Sequence, residues 1–359
     1  MNAASSPAPA AGPAEPTTAE SLRAALAGLL DGLPPKQAAA AVDRLIANYR
    51  GRTPTDAPVL RDRSDVAAYA AYRMPATFEA VRASLAGLAA AAPGWAPGSH
   101  VDVGGGTGAA TWAVDATWAG PRETSVLDWA EPALTLGREL AAASGSGVLR
   151  GAAWRKAVIG AGLTLPDADL VTVSYVLGEL TGEARRAVVA EAGRAGQAVV
   201  IIEPGTPEGY LRIREARDAL IGAGFTVAAP CPHDGTCPIV PGEDWCHFSA
   251  RVSRSSLHRQ VKGGSLAYED EKFSYVAAVR FPVAPATARI TRKPQIRKGL
   301  VLLDLCGPEG EGLSRTTVSK RHGEAYRAAR DAEWGDAWPS ANAGGAGEAE
   351  RRRGWGGRT

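Results

Sequence analysis

Cys231, Cys237 and Cys246 fall within sixteen residues of a Pro- and Gly-rich stretch, APCPHDGTCPIVPGEDWCHF, and Cys306 follows at the end of the apolar run KGLVLLDLC. These are the only cysteines in 359 residues. Four thiolates satisfy a tetrahedral zinc ion or a four-iron four-sulfur cluster equally well in number. The spacing C-x5-C-x8-C is looser than the paired C-x2-C knuckles of zinc ribbons, which favours the cluster. Unrelated structural cysteines would be scattered through strands and helices rather than gathered in one loop. His233 and His247 are spare nitrogen donors beside the set. Four cysteines in a chain this long do not make a disulfide framework, so the thiols are read as metal or redox ligands.

A second group lies in Val101-Asp102-Val103-Gly104-Gly105-Gly106-Thr107-Gly108, a short β-branched run that meets a glycine cluster and then a helix-compatible segment. Glycines there permit a sharp turn and let a ligand approach main-chain N–H groups at a helix N-terminus. The dinucleotide fingerprint G-x-G-x-x-G is not met, because its third glycine would fall on Ala109 or Thr111. The D-x-G-x-G-x-G form instead resembles the first motif of class I S-adenosylmethionine-dependent methyltransferases. The next strand candidate, TSVLD, ends in Asp128, an acid placed to accept hydrogen bonds from ribose hydroxyls. Asp102, Gly104, Gly106, Gly108, Asp128 and Ser174 are the expected S-adenosylmethionine-binding set.

These residues need a scaffold, and the apolar pattern supplies one. Residues 21–95 read as helices with Ala-rich faces, among them KQAAAAVDRLIANYR, with Pro75 expected to break one helix into two. From residue 96 to 282 short apolar strands (TSVLDWA, DADLVTVSYVL, QAVVIIEPG, GFTVAAP, KFSYVAAVR) alternate with helical segments. Nearly uniform apolar strands separated by helices indicate an α/β, doubly wound sheet covered on both faces. The last two strands are expected to form an antiparallel pair, and the long chain between them makes residues 230–270 a cysteine-rich insertion. Residues 283–338 form a basic C-terminal extension, and the Ala/Pro-rich residues 1–20 and the Gly/Arg-rich residues 339–359 are expected to be disordered.

The net charge of +2 conceals a division. Residues 251–359 hold 20 Lys and Arg against 12 Asp and Glu, whereas residues 1–250 hold 20 against 26. A basic third on an acidic chain suits phosphate contact. The candidate RNA-binding residues are Arg251, Arg254, Arg259 and Lys262 in the insertion, Arg292, Lys293, Arg297 and Lys298 in TRKPQIRKG, and Lys320 and Arg321. No run approaches the roughly eighteen apolar residues of a membrane span. The N-terminus lacks the basic and apolar regions of a signal or transit peptide, so a cytoplasmic, monomeric protein is expected.

No catalyst is evident. Amino methyltransferases place a D/N/S-P-P-Y/F turn after the fourth strand, where this chain reads Ser174-Tyr175-Val176-Leu177-Gly178-Glu179-Leu180. A nucleophilic cysteine is missing there too. Tyr175 could stack on a base, and Glu179 or Glu203 could accept a proton.

Several segments together resemble the Rsm22 family: AAYRMPATFEAVRASL, VDVGGGTGAA, DLVTVSYVLGEL, VIIEPGTPEGY, APCPHDGTCP with WCHFSARV, and YEDEKFSYVAAVR. The resemblance extends over roughly residues 68–338. It implies an S-adenosylmethionine-binding fold, association with the small ribosomal subunit and its rRNA, and a four-iron four-sulfur cluster on Cys231, Cys237, Cys246 and Cys306. The expected function is that of an S-adenosylmethionine-binding, methyltransferase-like protein that acts on or assembles rRNA. The alternatives are a non-catalytic assembly factor of the same fold and a zinc-bound small-molecule methyltransferase.

Overall fold

The computed structural model describes residues 17–30, 40, 63–254 and 267–339. Two helices open the described chain, α1 (Thr18–Leu30) and α2 (Arg63–Ala91). Thr17 begins α1 with a reciprocal cap: its main-chain N–H donates to Glu20 Oε2 at 2.9 Å and its Oγ1 accepts from the Glu20 N–H at 3.3 Å. The expected break at Pro75 is absent, because α2 runs through it. An interior proline costs about 3 kcal/mol of helix stability, but Ala70, Ala71, Met74, Ala76, Phe78 and Val81 on either side are all buried. Packing of that length of helix outweighs one lost hydrogen bond. The segment KQAAAAVDRLIANYR, apart from Ala40, and the termini 1–16 and 340–359 lie outside the described residues.

The alternation that follows is β1 (Ser99–Val103), α3 (Ala109–Thr117), β2 (Glu123–Asp128), α4 (Glu131–Ala142), α5 (Gly147–Gly151), β3 (Ala153–Lys156), β4 (Ala168–Ser174), α6 (Gly182–Ala195), β5 (Gly196–Pro204), α7 (Pro207–Gly222), β6 (Thr226–Ala229), β7 (Phe248–Ser253) and β8 (Tyr268–Val279). The sheet order is β3-β2-β1-β4-β5-β8-β6. β1 to β5 are mutually parallel, and β8 runs antiparallel between β5 and β6. A reversed seventh strand slotted between the fifth and sixth is the order of the class I methyltransferase fold, here with β7 as an addition.

β5 shows why its sequence is apolar throughout. Ala198, Val200 and Ile202 pack on the α2/α3 side while Val199 and Ile201 pack on the α6/α7 side, all at zero exposure. β7 was not anticipated within the cysteine-rich insertion. It pairs with the first half of β8, from Phe248 opposite Phe273 to Ser253 opposite Tyr268, and continues the side of β8 that β6 occupies.

The C-terminal extension is a second sheet: β9 (Ala288–Ile290), β10 (Gln295–Arg297), β11 (Leu300–Cys306), β12 (Leu313–Ser319) and β13 (Ala337–Trp338), with α8 (Glu324–Asp331). Its order is β10-β11-β9-β13, with β12 on β11. Ile290, Val301, Leu303, Leu305, Val318 and Ala329 form its own small core. Among the described residues no helix is long and apolar enough to cross a membrane.

Candidate functional site

The glycine loop joins β1 to α3 at the C-terminal edge of the parallel strands. Asp102 is fully buried, and its carboxylate accepts from Thr172 Oγ1 at 2.9 Å and Thr111 Oγ1 at 3.1 Å. Gly104 and Gly105 donate their N–H groups to the Leu127 carbonyl at 2.8 and 3.1 Å. Gly104, Gly106 and Gly108 take φ values of 65, 55 and 87°, where a side chain is strained. The N–H of Gly106 donates to Asp128 Oδ2 at 2.9 Å, and the N–H of Ala130 donates to Asp128 Oδ1 at 2.8 Å. The loop and the acid at the end of β2 thus face one crevice, with Ser174 at the end of the neighbouring β4.

One residue here was missed from the sequence. Trp129 directly follows Asp128 and leaves 48% of its surface exposed. An indole so placed offers an apolar face to a purine. The available signal was its position, an aromatic immediately after the strand-end acid.

Burial pushes the Asp102 carboxyl up to about 6 despite its two hydroxyl donors, and burial raises Asp128 as well. The folded state therefore holds a proton on Asp102 that the unfolded chain has released, so this residue's contribution to stability falls as pH rises from about 4 to about 6. Buried His100, lowered to about 3, acts in the opposite sense. Asp102→Asn is expected to remove the first slope alone: urea unfolding between pH 4 and 6 will show the variant gaining on the wild type as pH rises. A stability difference that does not change with pH rules this assignment out.

Beyond β4 the side chains are tied to one another. Tyr175, at φ 60°, is the one non-glycine residue at positive φ among the described residues. Its N–H donates to the Ile202 carbonyl at 2.8 Å and its hydroxyl donates to Glu271 Oε1 at 3.0 Å. Arg73 lies 5.5 Å from the centre of the Tyr175 ring and 3.3 Å from Glu271. Glu203 is buried, accepts from the Leu177 N–H at 2.9 Å and pairs with Arg212 at 2.6 Å. Glu179 reaches solvent, yet desolvation at the crowded rim, followed by the Asp128 and Glu203 charges, pushes it up to about 7.

The four cysteines line a single cavity of about 50 Å³. Cys231 follows β6, Cys237 lies in the loop, Cys246 precedes β7 and Cys306 ends β11 in the second sheet. The loop is tied down at several points: Asp234 Oδ1 accepts from the Val227 N–H at 2.7 Å, Trp245 Nε1 donates to the Gly205 carbonyl at 2.9 Å, and Ser274 Oγ donates to the Cys246 carbonyl at 2.7 Å. Burial first, and then the neighbouring thiols, push Cys306 up to about 12 and raise Cys246 as well. The void exceeds several-fold the 10–15 Å³, roughly, that one water requires. Among the described residues no group of three or more His, Cys, Asp or Glu side chains is drawn together tightly enough to hold a single metal ion. His233 Nε2 stands 4.0 Å from Cys306 Sγ, and His247 stacks on Trp245 with ring centres 5.1 Å apart.

The basic residues divide into two groups. Arg251 pairs with Asp270 at 3.2 Å and covers the Tyr268 ring, Arg254 pairs with Glu269 at 3.2 Å, and Arg292 pairs with Asp244. These cations lock β7 to β8 and the cysteine loop to the second sheet. Arg259 and Lys262 lie outside the described residues. Lys293, Arg297, Lys298, Lys320 and Arg321 are exposed and have no ion-pair partner among the described residues. Pairing of Leu300 with Ser319, and the Lys320 N–H donating to the Gly299 carbonyl at 3.0 Å, bring Arg297, Lys298, Lys320 and Arg321 to one end of the second sheet.

A profile of the family described as "Mitochondrial small ribosomal subunit Rsm22" matches residues 63–339. The chain belongs to the Rsm22 family. This member is 30% identical over 295 residues to the "Ribosome assembly protein METTL17, mitochondrial" of Homo sapiens, a match covering 76% of this chain and 62% of that protein. It is 29% identical over 186 residues to the "Rsm22-cox11 tandem protein 2, mitochondrial" of Schizosaccharomyces pombe, covering 40% of this chain and 25% of that one. It thus spans less than two thirds of the length of either relative. Among solved structures it is similar to a SAM-dependent methyltransferase from Aquifex aeolicus, with 16% identity, a TM-score of 0.39 and coverage of 62% of this chain and 100% of that one. The relatives are described as mitochondrial, which overturns the expected cytoplasmic placement and points to the mitochondrion. That expectation rested on N-terminal composition alone, and composition does not report where a fold is used.

Proposed function

We propose that this Rsm22-family chain binds S-adenosylmethionine, carries a four-iron four-sulfur cluster on Cys231, Cys237, Cys246 and Cys306, and serves small-ribosomal-subunit assembly by binding rRNA. The observation that carries the reading is the convergence of every cysteine of the chain, from two different sheets, on one cavity. A single zinc ion draws four sulfurs to about 2.3 Å and leaves no void between them. The loose C-x5-C-x8-C spacing and the space between the cysteines support the cluster reading over zinc. When bound, the cluster supplies a rigid link between the first sheet and the second.

The N–H groups at the start of α3 suit the cofactor's carboxylate, Asp128 suits its ribose hydroxyls and Trp129 suits its adenine. When bound, the cofactor supplies an activated methyl group. The geometry at Tyr175 supports recognition rather than transfer, because the ring that would meet an acceptor base is held by Glu271 and Arg73.

The unpaired cations at the end of the second sheet are the proposed contact with phosphates. Changing Arg297, Lys298, Lys320 and Arg321 together to Ala is expected to weaken binding to the small subunit about a hundredfold at low salt. It should also lower the slope of log affinity against log salt by about 3. Sedimentation of the protein with purified subunits across a salt series measures both. Unchanged affinity and slope would place the RNA surface elsewhere.

A further inference from the structure

The wall of the cysteine cavity contains two buried guanidiniums, Arg217 from α7 and Arg289 from β9, exposed by only 4% and 7%. Each is held in place by main-chain carbonyls. Arg217 Nη2 donates to the carbonyls of His233 and Gly235 at 2.9 and 2.7 Å. Arg289 donates through Nε to Pro230 at 2.7 Å and through Nη1 to Gly335 at 2.9 Å. Carboxylates do not account for them. Arg217 meets only Asp218, itself largely in solvent, and Arg289 has no acidic partner among the described residues. Moreover, Arg217 Nε is buried with no oxygen or nitrogen acceptor, and the Arg217 side chain lies against the Cys231 thiol. A buried guanidinium without a counter-charge, and a buried N–H without an acceptor, each cost free energy that a fold does not ordinarily leave uncompensated.

The missing partner is anionic and lies in the cavity. Four thiolates around a core of charge about +2, whether cluster or zinc, leave about −2 at the centre. Arg289, with no acidic partner among the described residues, and Arg217, whose partner Asp218 is largely in solvent, offset that charge. Tyr210 adds a neutral donor, its hydroxyl 3.3 Å from Cys237 Sγ. We infer that Arg217 and Arg289 are the counter-ions of the cysteine centre, with the free Arg217 Nε–H donating to the sulfur of Cys231 or to a cluster sulfide. This rests on the reading that the four cysteines hold a metal centre. It assigns the two arginines a positioning and charge-balancing role that the ligand set alone does not include. The sequence hid them because Arg217 lies in an ordinary amphipathic helix and Arg289 in a three-residue strand.

The experiment uses the full chain, as wild type and as Arg217→Gln, Arg217→Lys and Arg289→Gln, reconstituted without oxygen with ferrous iron and sulfide or with zinc. Wild type is expected to take up iron and sulfide and to show a broad visible absorption. Each Gln variant should release its metal to a chelator about ten times faster, the loss expected from one charge-assisted hydrogen bond. It should also show a more negative reduction midpoint, because a nearby positive charge favours the reduced, more negative cluster. Arg217→Lys, which keeps the charge, should stay close to wild type in midpoint. A merely structural arginine would not move the midpoint, and far-UV circular dichroism of the loaded variants separates misfolding from charge loss. If zinc alone is taken up, faster zinc release from the Gln variants still supports the counter-ion role and removes the cluster. A loaded wild type with unchanged release and midpoint in both Gln variants overturns the counter-ion role while leaving the centre intact. A wild type that takes up neither metal overturns both.

Discussion

On the proposed reading of the four cysteines as one metal centre, Cys246→Ser is expected to lose that centre and loosen the second sheet from the first. Cys246 lies on the approach to β7, with its carbonyl held by Ser274 of the central sheet, whereas Cys306 ends β11 of the other sheet. With one ligand gone the remaining thiols cannot complete a four-sulfur shell, and the second sheet is then held by contacts such as Arg292 with Asp244, Arg289 with Pro230 and Trp334 against His247. Structural metals in small sites contribute about 10 kcal/mol or more of apparent folding free energy. Even a fraction of that lost from a chain of this size lowers the melting temperature by roughly 10 °C. Iron content should fall below one atom per chain, and limited proteolysis should cut near residues 280–287, between β8 and β9, while the parallel sheet resists. Retained iron, or a protease pattern identical to wild type, would falsify the proposed link.

On the proposed reading of the glycine loop as an S-adenosylmethionine site, Gly106→Arg is expected to abolish that binding and leave the fold standing. A Cβ built at Gly106 meets nothing nearer than Asp128 Oδ2 at 3.8 Å, so a side chain there projects into the crevice rather than into the core. The φ of 55° costs the substitution about 1 kcal/mol. A guanidinium beside Asp128 then occupies the ribose position. Calorimetric titration should show affinity reduced by more than about a hundredfold, with a melting temperature within a few degrees of wild type. Gly104→Ala makes the contrast: its Cβ would fall 2.3 Å from Val176 Cγ2, so it should cost several kcal/mol of stability and disturb the crevice only as a consequence. Wild-type affinity in Gly106→Arg would mean that the loop is a structural turn.

The strand-helix alternation was plain in the sequence because strands covered on both faces, such as QAVVIIEPG, are apolar at every position. The glycine loop was legible because positive φ leaves few residue types to choose from, and the cysteines because nothing else in the chain competes with four thiols as soft ligands. Other features were hidden for physical reasons. Pro75 reads as a helix end locally, but the burial that keeps α2 continuous comes from β8 and α3, far away in sequence. β7 is six residues inside a Pro/Gly-rich run, and its partner begins fifteen positions later. Most strands of the second sheet are too short for any period to register. The charge of Arg251, Arg254 and Arg292 suggested phosphate contacts, yet sequence does not show which cations meet carboxylates within the chain; Asp270, Glu269 and Asp244 engage these three.

β8 is laid against β5, β6 and β7 at once, and its Glu271 and Ser274 stand three residues apart. The first holds the Tyr175 hydroxyl just beyond β4 and the second holds the Cys246 carbonyl at the cysteine cavity. A slip of one residue in this strand would turn every side chain to the opposite face and break both contacts together. Mispairing therefore cannot break one contact and spare the other, so the register of a single strand ties the Tyr175 region to the cysteine cavity.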